Sequence, residues 1–83
     1  MSHSIICEFA ARILDLCARL WNQGPAARRI ASELIRCGTS IGANAEETKD
    51  GQTKPDYIAK MSVSRKESRE TLYWLRLGVR AKV

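Results

Sequence analysis

Apolar residues in this chain recur at three- and four-residue steps through three long stretches, and only two short polar clusters interrupt them. That spacing is the mark of helices that bury one face. In the first stretch Ile6, Phe9, Ala10, Ile13, Cys17 and Leu20 form the apolar stripe, and Glu8, Arg12, Asp15 and Arg19 form the opposite one. The acid precedes the base by four residues in Glu8–Arg12 and Asp15–Arg19, an arrangement that supports a solvated helix face. The spacing predicts a helix over residues 4–21. It ends at Asn22-Gln23-Gly24-Pro25, where Gly24 suits a left-handed helix C-cap and Pro25 the first turn of the next helix. So short a connection makes the two helices antiparallel neighbours.

The second helix is expected over residues 25–46, with Ile30, Leu34, Cys37, Ile41 and Ala45 inward. Gly38 and Gly42 interrupt the pattern, and glycine inside a helix costs about 1 kcal/mol relative to alanine. Either the helix breaks near Gly38, or Gly38 and Gly42, with Ala31, Ile35 and Ala45 on the same side, let another backbone approach closely. The second arrangement is the preferred one, and it makes Asn44 a buried polar group in need of a partner. Residues 46–54 are polar and contain the turn signal Asp50-Gly51. Thr53, with Pro55 and Asp56 following, resembles a helix N-terminus.

The third helix is expected over residues 54–82 and shows three faces. Tyr57, Met61, Ser64, Ser68, Leu72, Leu75 and Val79 read as its core face, whose small middle (Ser64, Ser68 and nearby Thr71) could receive the glycines of the second helix. Val63, Glu70, Trp74 and Leu77 read as a contact for another copy or for a fourth helix. Arg65, Arg69, Arg76 and Arg80 fall within about 60° of arc at 100° per residue.

The 83 residues allow one domain at most. Three cysteines in no CxxC pair, and His3 as the single histidine, give no zinc pattern, so no metal, cofactor or small-molecule substrate is expected. No signal peptide and no membrane-length apolar run are visible, which makes the cytoplasm the expected compartment and excludes a membrane partner. The few aromatics argue against a platform for stacking single-stranded bases. The net charge of +5 comes entirely from residues 51–83, which carry eight bases against three acids. That asymmetry points to an acidic partner, nucleic acid being the commonest.

Two motifs carry a resemblance. Arg36-Cys37-Gly38-Thr39-Ser40-Ile41-Gly42-Ala43-Asn44-Ala45-Glu46-Glu47 resembles the middle-helix motif of the four helix bundle protein family, also described as 23S rRNA intervening-sequence proteins. Glu67-Ser68-Arg69-Glu70-Thr71-Leu72-Tyr73-Trp74-Leu75-Arg76-Leu77 resembles its third-helix motif. The resemblance covers most of residues 5–77. It implies an all-α, up-down antiparallel bundle, assembly as a ring-like homopentamer, and likeness to the basic, nucleic-acid-contacting accessory proteins of diversity-generating retroelements. It also implies a fourth helix after Val83, so that the chain reads as three helices of a four-helix fold.

Three functions compete at this stage. A non-catalytic, self-associating module would bind RNA or DNA phosphates through Arg65, Arg69, Arg76 and Arg80, since guanidinium forks match phosphate oxygens. An adaptor would offer the same basic face to an acidic protein, and a truncated family member would do neither. A helical nuclease needs a positioned acid–base pair; His3 stands outside any Arg-x4-His motif, and no catalytic residue is assigned.

Overall fold

The structure, a computed structural model, describes residues 3–48 and 53–83. These residues form three helices, α1 (His3–Leu20), α2 (Pro25–Glu47) and α3 (Lys54–Ala81), with no strand among them. The Asp50-Gly51 turn signal lies outside the described residues.

The helix ends follow from local chemistry. Gly24 has φ 111° and ψ 175°, a region that residues with a Cβ avoid. It is the N-cap of α2 rather than the C-cap of α1, and its carbonyl accepts the first bond of α2 from the Arg28 N–H at 3.0 Å. The Arg28 side chain in turn donates to the Trp21 carbonyl at 2.7 Å and so satisfies the frayed end of α1. At α3, the Thr53 hydroxyl oxygen accepts from the Asp56 N–H at 3.3 Å, with Pro55 in the first turn. α3 closes with Lys82 in the left-handed region and the Val83 N–H bonded back to the Gly78 carbonyl at 3.1 Å.

α2 runs unbroken through both glycines, because their missing side chains are filled from α1. A Cβ on Gly38 would stand 2.9 Å from Ile13 Cγ2, and one on Gly42 would stand 3.2 Å from Ile6 Cγ2. The glycines are notches for the isoleucines of α1, not for the serines of α3 as their spacing had suggested. α3 meets α2 on a different side, where the Ser64 hydroxyl donates to the Ile41 carbonyl at 3.3 Å. Asn44 turns onto its own helix: its amide donates to the Ser40 carbonyl at 2.9 Å and lies 3.2 Å from the Ser40 hydroxyl. It therefore needs no partner from another helix.

α2 is the middle of the fold. Among the described residues no Cα of α1 comes within 8 Å of one of α3. The molecule measures 44 × 20 × 16 Å, and its long dimension matches the roughly 42 Å expected of a helix as long as α3. The core is a small cluster of Ile13, Cys17, Ile30, Ala31 and Leu34, with Leu16, Leu20, Trp74, Leu75 and Leu77 packed against it. The Cys17 thiol donates to the Ala31 carbonyl at 3.4 Å, which fixes how closely α1 lies on α2. Burial also raises the Cys17 pKa above its ordinary value.

α3 is rolled differently from the sequence expectation. Ser64, Glu67 and Thr71 are its buried residues, and Trp74 and Leu77 follow them onto α2. Tyr57, Met61, Leu72 and Val79, read from spacing as inward, are exposed. Leu72 lines a depression with Arg69 and Arg76, whereas Tyr57, Met61 and Val79 border an open groove between α1 and α3. At one end Leu16, Leu20, Leu75 and Val79 line it over Ile30 and Leu34. At the other, Ile6, Ile41, Tyr57, Met61, Ser64 and Arg65 are among the residues that line a cleft of about 440 Å³.

The glycine notch gives a direct test. Gly→Ala inside an open helix gains about 1 kcal/mol, but at Gly38 the new methyl meets the stiff, β-branched Ile13. Gly38→Ala is expected to destabilise the chain by about 1–3 kcal/mol, as overpacking does. In an Ile13→Ala background the same change is expected to become neutral or stabilising. Urea unfolding of the four chains of this cycle measures both, and a Gly38→Ala effect independent of Ile13 would contradict the notch.

Candidate nucleic-acid interface

Two charged groupings shape α3, one facing α2 and one facing away. The inward grouping centres on Arg36. Its guanidinium reaches Glu33 on its own helix at 3.2 Å, and Glu67 and Glu70 of α3 at 3.1 and 2.5 Å. Glu67 and Glu70 are three residues apart, so both carboxylates project from one side of α3 toward the same cation. The Glu67 side chain is only 10% exposed, and a buried carboxylate persists only when paired. Arg36 supplies the pair.

Cys37 lies beside this cluster without exposed surface. Its Sγ accepts from Arg36 at 3.0 Å, and its thiol donates to Glu70 at 3.4 Å. Burial, aided by the bond to Glu70, pushes the Cys37 pKa up to about 12. Cys37 therefore stays a thiol at neutral pH and is a poor nucleophile. The Arg36 guanidinium, and secondarily the Cys37 thiol, hold the Glu70 carboxyl below the usual carboxylate range. Cys37 Sγ and the carboxylate oxygens of Glu67 and Glu70 lie within 4.8 Å of one another, a spacing a metal could use. In this arrangement the guanidinium stands as the cation shared by the carboxylates, and the cluster is an ionic clamp between α2 and α3.

The outward grouping is the arginine stripe. On α3 it lies about 170° around the helix from the residues that meet α2, at 100° per residue. Arg65, Arg69, Arg76 and Arg80 are all exposed, and none makes an ion pair or side-chain hydrogen bond with a described residue. Other surface charges do pair: Arg12 with Glu8, Arg19 with Asp15, Arg29 with Glu33 and Lys60 with Glu47. Arg69, Arg76 and Arg80, together with Leu72, Tyr73 and Leu77, line a shallow depression of about 460 Å³. Tyr73 is 58% exposed there. Its ring meets Trp74 edge-on, with centroids 5.1 Å apart and planes at 75°.

The residues expected to contact a further copy or a fourth helix separate in the structure. Val63 is exposed, but Glu70 is bound to Arg36, and Trp74 and Leu77 pack on the core of this same chain. The reason is the Arg36 clamp, which turns their side of α3 toward α2. Gly38 and Gly42 do pack closely, against α1; Asn44 does not take part. Sequence reasoning missed Arg36 and Tyr73. Two acids at a three-residue spacing on an otherwise basic helix were the available signal for Arg36.

A three-helix, all-α chain with an arginine-centred acidic cluster between α2 and α3, and an outer basic face unpaired among the described residues, is the class of protein these observations define. The chain belongs to the 23S rRNA-intervening sequence protein family, whose model matches residues 4–83. It is similar to a crystal structure at 1.70 Å of a protein of unknown function from the S23 ribosomal protein family of Bacteroides thetaiotaomicron VPI-5482. The two share 37% sequence identity with a TM-score of 0.84, over 95% of this chain and 72% of that one. No curated protein matches the chain. Neither the family's description nor that structure names a catalytic activity. Among the described residues no helix is long and apolar enough to cross a membrane.

The clamp predicts an acid response. A group whose folded pKa is depressed contributes stability that is present above its unfolded pKa and is lost as pH falls through the folded value. For Glu70 that loss begins near the ordinary carboxyl value of about 4.3 and continues below it. Arg36→Ala is expected to destabilise the chain at pH 7, since Glu67 keeps a buried charge without its cation. It is also expected to flatten the loss of stability as pH falls below about 4.3. Urea midpoints across that range check both, and an unchanged acid slope in Arg36→Ala would remove Glu70 as its source.

Proposed function

We propose that this chain is a non-catalytic, self-associating helical module that binds RNA or DNA through the outer face of α3. The observation that carries the reading is the set of four arginines, exposed and unpaired among the described residues, on the side of α3 turned away from α2. Arginines held in internal ion pairs would have little left for a ligand, and this chain uses Arg36, not the stripe, to bind its own acids. Phosphate oxygens fit the free forks. The binding is expected to be sequence-independent and salt-sensitive. Cys17 and Cys37 are buried thiols, which suits the reducing cytoplasm in which we place the protein.

Self-association rests on the open groove. Tyr57, Met61 and Val79 leave apolar surface exposed along it, and a large apolar patch on a small chain marks a contact surface. Copies that each carry +5 repel, yet they can meet along this mainly apolar groove, where Arg65 is the stripe arginine at its edge, while Arg69, Arg76 and Arg80 line the separate depression. A ring such as the homopentamer implied by the resemblance would present several stripes together. Multi-angle light scattering on the purified chain is expected to show a discrete oligomer. Met61→Glu with Val79→Glu is expected to reduce it to monomer, and a wild-type monomer would contradict self-association.

Filter binding against RNA at several salt concentrations tests the interface. Each arginine that contacts a phosphate contributes about 0.7–0.9 to the slope of log affinity against log salt. Changing Arg65, Arg69, Arg76 and Arg80 to alanine is expected to weaken binding at least tenfold and to reduce that slope. An unchanged affinity and slope would overturn the reading. The adaptor alternative predicts instead a protein partner that stays bound after nuclease treatment.

A further inference from the structure

The arginine stripe is divided at its middle, and the gap is filled by an aromatic ring. Arg65 and Arg69 form one four-residue step and Arg76 and Arg80 another, each a rise of about 6 Å along the axis. Between the pairs the axis advances about 10 Å, and Leu72 and Tyr73 occupy that interval on either flank of the stripe. Both are exposed, Leu72 at 45% and Tyr73 at 58%. Tyr73 is also held in place. Its ring stands edge-on to Trp74, and Trp74 is packed on the core. The ring therefore presents surface to solvent from a fixed base, within the depression lined by Arg69, Arg76 and Arg80.

From this arrangement we infer that the ligand of the α3 face is single-stranded nucleic acid, with one unpaired base stacked on Tyr73 and the flanking phosphates held by the two arginine pairs. The inference rests on the nucleic-acid reading above and narrows it. A duplex keeps its bases stacked inside and offers the stripe only phosphates, so Tyr73 would add nothing to its affinity. A single strand can splay a base out, and every base has a face that an aromatic ring can cover. Four-residue steps along one helix keep successive guanidinium groups on one line, which suits a strand running parallel to α3. The scarcity of aromatics in the sequence excludes an extended stacking platform; one ring set in a break of the basic stripe supplies a single stacking position. The expected preference is for strand form and not for sequence.

The test uses the whole chain and a fluorescently labelled RNA of about 12 nucleotides, within the usual site size of single-strand binders. The same RNA annealed to its complement is the second probe, and anisotropy is read across several salt concentrations. Single-stranded RNA is expected to bind more tightly than the duplex. Tyr73→Ala is expected to weaken single-strand binding about 5- to 100-fold with no change in salt slope, because stacking releases no counterions. Tyr73→Phe keeps the ring and is expected to retain the affinity, while Arg69→Ala with Arg76→Ala lowers the slope. Circular dichroism confirms that each variant is folded. Equal or tighter binding of the duplex, or an unchanged affinity in Tyr73→Ala, would overturn the single-strand inference and leave the nucleic-acid reading standing. Absence of binding to either probe would overturn both.

Discussion

The clamp of Arg36 on Glu67 and Glu70 decides which way α3 faces, and most of what the molecule offers to a partner follows from that. α3 has apolar residues on more than one side, so packing alone leaves its roll about its own axis weakly specified. A buried carboxylate is more demanding than a buried leucine, because it must find its cation. With Glu67 turned inward to Arg36, Ser64, Thr71, Trp74 and Leu77 come with it. The opposite side, carrying Arg65, Arg69, Arg76 and Arg80, then has nowhere to point but solvent.

The same roll explains why the chain has an open side. α1 is seated on α2 by the fit of Ile13 and Ile6 over Gly38 and Gly42, and α3 is seated by the clamp on another side. Neither contact brings α1 and α3 together, so the groove between them keeps Tyr57, Met61 and Val79 exposed. One polar contact thus yields two surfaces of different character, a mainly apolar groove and a basic ridge, which meet at Arg65.

Much of the fold was legible in the sequence, and the part that was not has a physical cause. Helix positions could be read because periodicity, Pro25, Pro55 and Thr53 are local signals. The identity of the buried face was clear for α2, where Ile30, Leu34 and Cys37 are inward as their spacing indicates. It was misjudged for α3, because a hydrophobicity pattern counts Glu67 as surface and Tyr57, Met61, Leu72 and Val79 as core. The pairing that reverses this lies 31 residues away in sequence, and no local pattern reports it. The arginine stripe was visible from spacing alone, since 100° per residue fixes which residues share a face. That it would be unpaired, with Tyr73 exposed in its break, required knowing where the acids of the other helices lie.

The roll of α3 can be measured directly by NMR on the folded chain. Nuclear Overhauser contacts from the Trp74 indole protons to methyl groups of Ile30 or Leu34 are expected, together with their absence from Leu72 to α2. The opposite pattern, with Leu72 against α2 and Trp74 free of the core, would mean that α3 faces the other way and that the arginine ridge is not where this account puts it.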